Sequence, residues 1–137
     1  MKGLVNKMRE IKFRGYRVYS GEWVYGDLIH AKGNLYVVEK DYFEVDGHHL
    51  SCNSDTPVFV DEKTIGQFIG LKDKNGKEIY EGDNLFDEYD EEYYVAEFEN
   101  GVFVATGDGF TVDLFEVVKG CSVIGNIHDN KELLKGE

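Results

Sequence analysis

The sequence has a single proline, only two cysteines, and no apolar run close to the roughly 20 residues that a membrane-spanning helix needs. We therefore expect no membrane insertion. Cys52 and Cys121 lie far apart, and no apolar signal segment precedes the first predicted strand, so we expect a protein of the reducing cytoplasm. A nucleophile with its base, a phosphate-binding loop and a full set of metal ligands are all absent. No pattern specifies a reaction, and we expect neither enzymatic activity nor a cofactor.

Basic residues are also few, since 15 Lys and Arg stand against 27 Asp and Glu, for a formal charge of −12. Such a chain repels a phosphate backbone, so we do not expect it to bind double-stranded nucleic acid. The charge is uneven, with basic residues concentrated over residues 2–17 and acidic residues over residues 83–92. These two regions could attract each other within one chain or between chains, which favours a homo-oligomer.

Glycine and aromatic residues are abundant: the chain has 16 Gly, nine Tyr and nine Phe. This composition favours many short strands joined by glycine turns, and hence a mainly β fold of antiparallel hairpins. We predict one domain over residues 1–137, with a possible division into residues 8–60 and 61–137. The short strands of the second part, including one over residues 110–118, predict an SH3-like or rolled-up small β-barrel. A short C-terminal helix over residues 131–134, capped by Asn130, follows.

The clearest local signal is a β-hairpin over residues 68–80. Asn75-Gly76 predicts a type I′ turn, because that turn needs two positive φ angles, and residues 68–72 and 77–80 have the composition of the flanking strands. Glu81-Gly82-Asp83 then turns the chain again. Further turns are predicted at Ser20-Gly21, at residues 32–34 and at Asn100-Gly101, and Thr56-Pro57 predicts the start of a strand over residues 58–60.

This hairpin, within residues 64–83, resembles the YopX-like proteins of bacteriophages and prophages, as do residues 8–14, 24–28 and 123–128. Residues before Met8 look like an extension, and Gly15-Tyr16 stands where the family often has Ala-Trp. The resemblance implies a phage origin, a mostly β fold and no established activity, substrate or catalytic residue. It also marks a structural signature of eight residues, whose glycines suit turns, bulges or close strand packing. The signature residues are Gly66, Gly70, Asn75, Gly76, Gly82, Asp83, Gly125 and Asn126.

The best metal candidates are His48, His49 and Cys52, because imidazole and thiolate groups at this spacing can hold zinc. A further ligand could come from Asp46, Asp55 or His30. Structural zinc usually takes four ligands from two paired motifs, and only one incomplete cluster is present. We therefore interpret these residues as loop residues that hold no metal.

Oxygen-bearing side chains around the signature hairpin form a second candidate, a calcium site. Their spacing lacks the calcium-loop pattern, and turn chemistry explains Asp73 and Asn75 without an ion. An acid–base couple of Asp83 and Asp87 is a third candidate, although carboxylates in an acidic run are usually solvated. The calcium candidate comprises Asp73, Asn75, Glu78, Glu81 and Asp83.

Two further patterns have simpler interpretations. Ser51 beside His49 and Asp46 lacks the Gly-x-Ser-x-Gly sequence of a hydrolase, and Gly107-Asp108-Gly109 predicts a turn and not a phosphate loop. Aromatic residues near Arg14 and Arg17 could form a stacking platform for single-stranded nucleic acid, but packing on the sheet is favoured. The platform residues are Tyr16, Tyr19, Trp23, Tyr25 and Tyr36.

Three functional hypotheses remain open. The first is a non-enzymatic phage accessory protein that binds an unknown host or phage protein in the host cytoplasm. The second is a role in nucleic-acid biology, either weak single-strand contact or mimicry of DNA by the acidic loop. The third is a small metal-dependent hydrolase that joins His30, His48 and His49 to acidic residues.

Overall fold

The computed structural model describes residues 9–39, 42–52 and 60–129. These residues form two five-stranded antiparallel sheets and a separate two-stranded sheet, so the mainly β prediction is confirmed. Each strand follows from short runs of β-branched and aromatic residues between turns. The strands are β1 (Phe13–Arg17), β2 (Glu22–Ala31), β3 (Asn34–Val38), β4 (Phe43–Asp46), β5 (His49–Cys52), β6 (Asp61–Lys72), β7 (Glu78–Tyr80), β8 (Asp83–Asp87), β9 (Glu92–Glu99), β10 (Val102–Thr106), β11 (Thr111–Asp113) and β12 (Cys121–Asn126).

The first sheet has the order β3-β2-β1-β6-β7. β1 is central, pairing with β2 along its length and with β6 through Arg14 opposite Gly66. One face of this sheet buries a small apolar cluster of Val24, Val37 and Val60. The boundary between the two large sheets falls between Tyr80 and Asp83, so β6 and β7 lie with the strands that precede residue 60.

The second sheet has the order β11-β10-β9-β8-β12. Its inner face carries alternate residues such as Leu85, Tyr94 and Ala105, which form the main core with Ile69 and Ile79 of the first sheet. Because strand side chains alternate between faces, the residues between these positions point to the opposite, outer face. The main core therefore lies between the two sheets.

The two large sheets stay open, so the predicted barrel is wrong. The inner face of the second sheet is covered by β6 and β7 and by a short helix, α1 (Leu114–Val117), instead of by its own curvature. The predicted strand over residues 110–118 is accordingly only β11, followed by α1 and a 3-10 helix (Val118–Gly120). Asp113 caps α1 by accepting a hydrogen bond from the Phe115 N–H at 3.0 Å.

Several predictions fall outside the described residues. They are the start of the chain over residues 1–7, the strand start at Thr56-Pro57 with residues 58–59, and the C-terminal helix over residues 131–134 with its cap Asn130.

The predicted hairpin is present, because β6 pairs with β7, but its loop is not a type I′ turn. Gly76 has a φ of 84°, whereas the φ of Asn75 is not positive. The Gly76 N–H donates to the Asp73 carbonyl at 3.0 Å and the Asp73 N–H to the Lys77 carbonyl at 2.7 Å. This is a three-residue loop, a type I turn followed by a left-handed glycine. The Asp73 carboxylate favours it by accepting hydrogen bonds from the Asn75 and Lys77 N–H groups, both at 2.8 Å.

The type I′ turn does occur at two other loops. Lys32 and Gly33 have φ angles of 50° and 81°, and Asn100 and Gly101 have φ angles of 52° and 85°. Each pair joins two directly neighbouring antiparallel strands, β2 with β3 and β9 with β10. Both turns are therefore where the sequence predicts them.

The loop between β6 and β7 also contacts the second sheet. The Val123 N–H donates to the second Asp73 carboxylate oxygen at 2.9 Å, and the Lys74 N–H donates to the Cys121 carbonyl at 2.9 Å. Lys74 also forms an ion pair with Glu88. The Asp73 carboxylate thus stabilises its own loop and also connects that loop to the edge strand β12 by a hydrogen bond.

Candidate functional site

A cleft of about 370 Å³ lies where β1, β2 and β7 of the first sheet meet β8, β12 and the turn after β12. Its lining combines aromatic rings with charged groups, including Trp23, Tyr25, Glu78, Tyr80 and Asp129. Cavities of this size and mixed lining are typical of binding sites, so we consider this cleft the first candidate site.

An ion pair of Arg14 and Asp83 forms one wall of the cleft. The Arg14 Nη1 atom lies 2.7 Å from Asp83 Oδ1, and the two side chains are only 6% and 2% exposed. Arg14 also donates to the Glu81 carbonyl at 3.2 Å, and Asp83 accepts a hydrogen bond from the Tyr80 N–H at 2.8 Å. Burial raises the pKa of Asp83, and the Arg14 guanidinium opposes that rise. The pair joins the two sheets, since Arg14 belongs to β1 and Asp83 to β8.

Aromatic rings enclose the guanidinium of Arg14. Its Cζ atom lies 4.7 Å from the ring centroid of Trp23 and 5.2 Å from that of Tyr80. The buried Nε atom of Arg14 has no hydrogen-bond partner, and the neighbouring rings are its immediate surroundings. Tyr25 packs edge-on against Tyr80 with centroids 5.4 Å apart. This wall of the cleft therefore already accommodates one stacked guanidinium.

Tyr80 acts as a hydrogen-bond donor within the cleft. Its hydroxyl donates to Glu78 at 3.1 Å. Burial, with the nearby Glu78 carboxylate, raises the pKa of Tyr80 well above its usual range, so the phenol stays protonated. It cannot serve as a base at neutral pH.

The opposite rim of the cleft is organised by Asn126. Its side-chain oxygen accepts hydrogen bonds from the His128 and Asp129 N–H groups at 2.9 and 2.8 Å, and its amide donates to the Asp129 carboxylate at 2.8 Å. Trp23 Nε1 donates to the same carboxylate at 3.1 and 3.2 Å from its two oxygens. The Asp129 carboxylate is thus held beside the Trp23 ring by neutral donors.

A second candidate surface lies on the outer face of the second sheet. Tyr93 is 65% exposed and Ile124 is 53% exposed, while Phe86 and Val95 are half-buried. Phe86 and Tyr93 are cross-strand neighbours with ring centroids 4.9 Å apart. We call these four residues the outer patch. Exposed Glu97 follows Val95 on the same face, so the patch has an acidic border.

The surroundings of the outer patch are strongly acidic. Residues 83–129 contain twelve Asp and Glu but a single basic residue, Lys119, so they hold −11 of the formal charge of −12. The turn from β8 to β9 concentrates Glu88, Asp90 and Glu91 next to the Phe86 and Tyr93 ends of the strands.

The predicted metal candidates lie away from both surfaces. His48 and His49 are exposed on the two-stranded sheet, where His49 is opposite Asp46 and the Cys52 backbone is opposite Phe43. His30 is on β2, opposite Leu35. Within the described residues, no group of three or more His, Cys, Asp or Glu side chains could hold a metal ion. Asp55 lies outside those residues.

The four carboxylates among the predicted calcium ligands are each engaged with protein groups. Asp73 accepts three backbone hydrogen bonds, Glu78 pairs with Lys12, and Asp83 pairs with Arg14. Glu81 accepts a hydrogen bond from the Gln67 N–H at 2.8 Å. These contacts explain the carboxylates as structural groups of the hairpin and its turn.

Asp83 and Asp87, the predicted acid–base couple, are both buried but do not act together. They lie four residues apart on β8, which separates them by roughly 13 Å along the strand. Asp87 accepts a hydrogen bond from the Tyr89 N–H at 2.9 Å, and Asp83 is paired with Arg14.

The predicted aromatic platform is partly assembled. Tyr16 and Trp23 are cross-strand partners with centroids 5.4 Å apart, and Tyr25 is opposite Arg14 on the same face. Tyr19 is 93% exposed at the tip of the hairpin, and Tyr36 is on β3. Arg14 is bonded to Asp83, so it is not available to a phosphate group.

The remaining predicted sites have structural explanations. The Gly107 N–H donates to the Phe110 carbonyl at 2.8 Å, which closes a short loop over residues 107–110. Ser51, on β5, pairs with Glu44 of the neighbouring strand. Cys121 is fully buried, and burial raises the pKa of its thiol to about 11, so it stays protonated at neutral pH.

The signature residues surround the contact between the sheets. Gly66 lies opposite Arg14, and a Cβ there would approach the Glu81 carbonyl to 2.6 Å, so the backbones meet closely at this point. Gly70 and Gly125 lie at register shifts of β6 and β12, while Gly82 lies in the turn before Asp83. Sequence reasoning found these positions but missed that Arg14, Asp83, Trp23 and Asp129 come together. The available signal was the position of Arg14 within residues 8–14, a segment that carries the family resemblance.

Among the described residues, no helix has the length and apolar character needed to cross a membrane.

The chain matches the model of the YopX protein family over residues 12–135. Among solved structures, the chain is similar to the crystal structure of protein EF1440 from Enterococcus faecalis, with 26% sequence identity and a TM-score of 0.65. That similarity covers 93% of this chain and 99% of the other. Comparison with curated proteins found no match. Neither the family name nor the neighbour's name specifies a reaction.

Proposed function

The chain belongs to the YopX family, and we propose that it is a non-enzymatic module that binds another protein. We further propose that it is a phage or prophage accessory protein of the host cytoplasm. The outer patch is the observation that carries the binding proposal. Exposed apolar groups with a polar border are typical of protein-binding surfaces.

The chemistry of the candidate sites supports a binding role over catalysis. The carboxylates of Asp73, Glu78, Glu81 and Asp83 are used in hydrogen bonds and ion pairs within the fold. Tyr80 and Cys121 both have raised pKa values and are protonated at neutral pH. A general base or nucleophile needs the opposite arrangement, a group poised to ionise near neutral pH.

The test is affinity capture of the tagged chain from bacterial lysate, compared with two variants. Ile124→Asp introduces a charge into the outer patch, where the side chain is 53% exposed, and should abolish recovery of the partner. Leu50→Asp is the matched control, since Leu50 is 59% exposed on the two-stranded sheet. Equal recovery of every protein by both variants would refute the patch as the binding surface.

Mimicry of DNA is a second candidate function, favoured by the formal charge of −11 over residues 83–129. The same capture separates the two functions when it is repeated at high salt and after nuclease treatment. An apolar interface tolerates salt, whereas recognition of a DNA-like charge pattern weakens steeply. Recovery that depends on nuclease-sensitive material would instead indicate contact with nucleic acid. Self-association of the chain stays a prediction, which sedimentation velocity would check.

A further inference from the structure

We propose that the cleft between the sheets receives an arginine side chain from the protein partner. This inference rests on the proposed binding function and adds the chemistry of one contact. The cleft has a volume of about 370 Å³, which is large enough for a long side chain. It is distinct from the outer patch, which lies on the outer face of the second sheet.

Charge in the cleft favours a cation. Three carboxylates line it, those of Glu78, Asp83 and Asp129, against the two cations Arg14 and Lys77. Arg14 and Asp83 neutralise each other, and Glu78 is paired with Lys12, which lies outside the lining. Lys77 is an exposed side chain, so Asp129 is the carboxylate that would bind the cation. The donors that hold Asp129 are the Trp23 indole and the Asn126 amide and not a cation, so the carboxylate beside Trp23 is available to a bound cation.

The rings of the cleft favour a guanidinium over an ammonium group. Tyr25 is 47% exposed and offers ring surface to a bound group. Trp23 is half-buried, with Arg14, Tyr16 and His128 against its ring, so it lies at the margin of the space that a ligand would fill. A planar guanidinium stacks on such rings and can also bind a carboxylate through two parallel hydrogen bonds. Arg14 provides an internal precedent, because its own guanidinium packs against Trp23 and Tyr80.

An anionic ligand fits the cleft poorly. It would meet three carboxylates, and the Nη atoms of Arg14 are already engaged with Asp83 and the Glu81 carbonyl. The net charge of −12 adds long-range repulsion of anions and attraction of cations.

Trp23 is the single tryptophan of the chain, so its fluorescence reports directly on this cleft. The full-length protein is titrated with Nα-acetyl-arginine amide, with the neutral isostere Nα-acetyl-citrulline amide, and with inorganic phosphate. We expect a saturable change in emission with the arginine compound. The citrulline compound should bind at least about tenfold more weakly than the arginine compound, because charge-assisted hydrogen bonds are lost. Equal binding of the two compounds, a saturable response to phosphate, or no saturable response to arginine would overturn the proposal.

Two variants separate a local site from general attraction. Asp129→Asn should weaken arginine binding by about tenfold, since it removes the charge beside Trp23. Glu97→Gln removes one charge from the outer face of the second sheet and should leave the affinity unchanged. Equal weakening by both variants would mean that the net charge attracts the probe without a site.

The titration needs no partner, so the two proposals can fail separately. Ile124→Asp should bind the arginine compound as the unmodified chain does. If Ile124→Asp also retains the captured protein, the outer patch is wrong while the cleft stands. If the arginine titration fails while capture depends on Ile124, the cleft is wrong while the binding function stands.

Discussion

Two loops of this chain contain the same dipeptide, Asn-Gly, and adopt different turns. Between β9 and β10, Asn100 and Gly101 both have positive φ and form a two-residue type I′ turn. Between β6 and β7, only Gly76 has positive φ, and Asn75 belongs to a type I turn. The difference lies in Asp73, whose carboxylate binds the N–H groups of Asn75 and Lys77. The Asp73 side chain therefore stabilises a type I turn at a dipeptide that by itself favours a type I′ turn.

The largest expected effect is at Asp73. Asp73→Ala removes the acceptor of three backbone N–H groups, including that of Val123 in the other sheet, and should lower the free energy of unfolding by about 3 kcal/mol. Chemical denaturation measures this value. Asp108→Ala, at an exposed loop position, removes the same charge and should cost less than about 0.5 kcal/mol. Similar losses for both variants would mean that Asp73 does not organise its loop.

The glycines should behave alike in the two loops. Gly76 and Gly101 have φ angles of 84° and 85°, which a β-branched residue adopts only with strain. Gly76→Val and Gly101→Val should each lower stability by about 2 kcal/mol. Thermal unfolding followed by circular dichroism tests this, and an unchanged melting temperature for either variant would contradict the assigned turn.

The pH dependence should distinguish Asp73 from other carboxylates. Burial works against ionisation of Asp73, but hydrogen bonds from the Val123, Lys77 and Asn75 N–H groups outweigh it and lower the pKa of Asp73. Its ionised form therefore stabilises the fold fully above the unfolded pKa, roughly 3.9, and this stability is lost as pH falls through the native pKa.

We expect Asp73→Asn to be less stable than the unmodified chain by roughly 1–2 kcal/mol near neutral pH. The difference should stay constant down to about pH 5 and then narrow below about pH 4. Denaturation curves across this range measure it. A difference that does not change with pH would assign the stabilisation to the shape of the side chain and not to its charge.

The smallest effect is the sharpest test of the comparison, because it makes the same change in both loops. Asn100→Ala places alanine at a φ of 52° and should cost about 1 kcal/mol. Asn75→Ala leaves the backbone donor to Asp73 intact and should change stability by less than about 0.5 kcal/mol. Equal costs measured by chemical denaturation would show that the two turns are not distinct.

Local features of the fold were predictable from the sequence. The turns at Lys32-Gly33 and Asn100-Gly101 follow from neighbouring residues alone, and so does the pairing of β6 with β7. The helix α1, in place of a predicted strand, was harder to predict from the sequence, because apolar residues such as Leu114 and Val118 would be buried in a strand as well as in a helix. Only the cap at Asp113 pointed to a helix.

The cleft depends on contacts between distant residues, which periodicity and spacing do not report. Arg14 and Asp83 are 69 residues apart in the sequence and belong to different sheets, whose strands β1 and β8 come together at the cleft. Likewise, Trp23 meets Asp129 across the same junction. The open form of the second sheet has the same origin, since its cover comes from β6 and β7 of the first sheet.

The contact between the β6–β7 loop and β12 limits the pairing of β12 with strands of other copies of this chain. β12 is the outermost strand on its side of the second sheet, and an outermost strand is a template on which strands of other molecules can add without limit. Asp73 and Lys74 occupy the Val123 N–H and the Cys121 carbonyl. The loop therefore makes part of the free edge of β12 unavailable for strand addition by another copy of the chain.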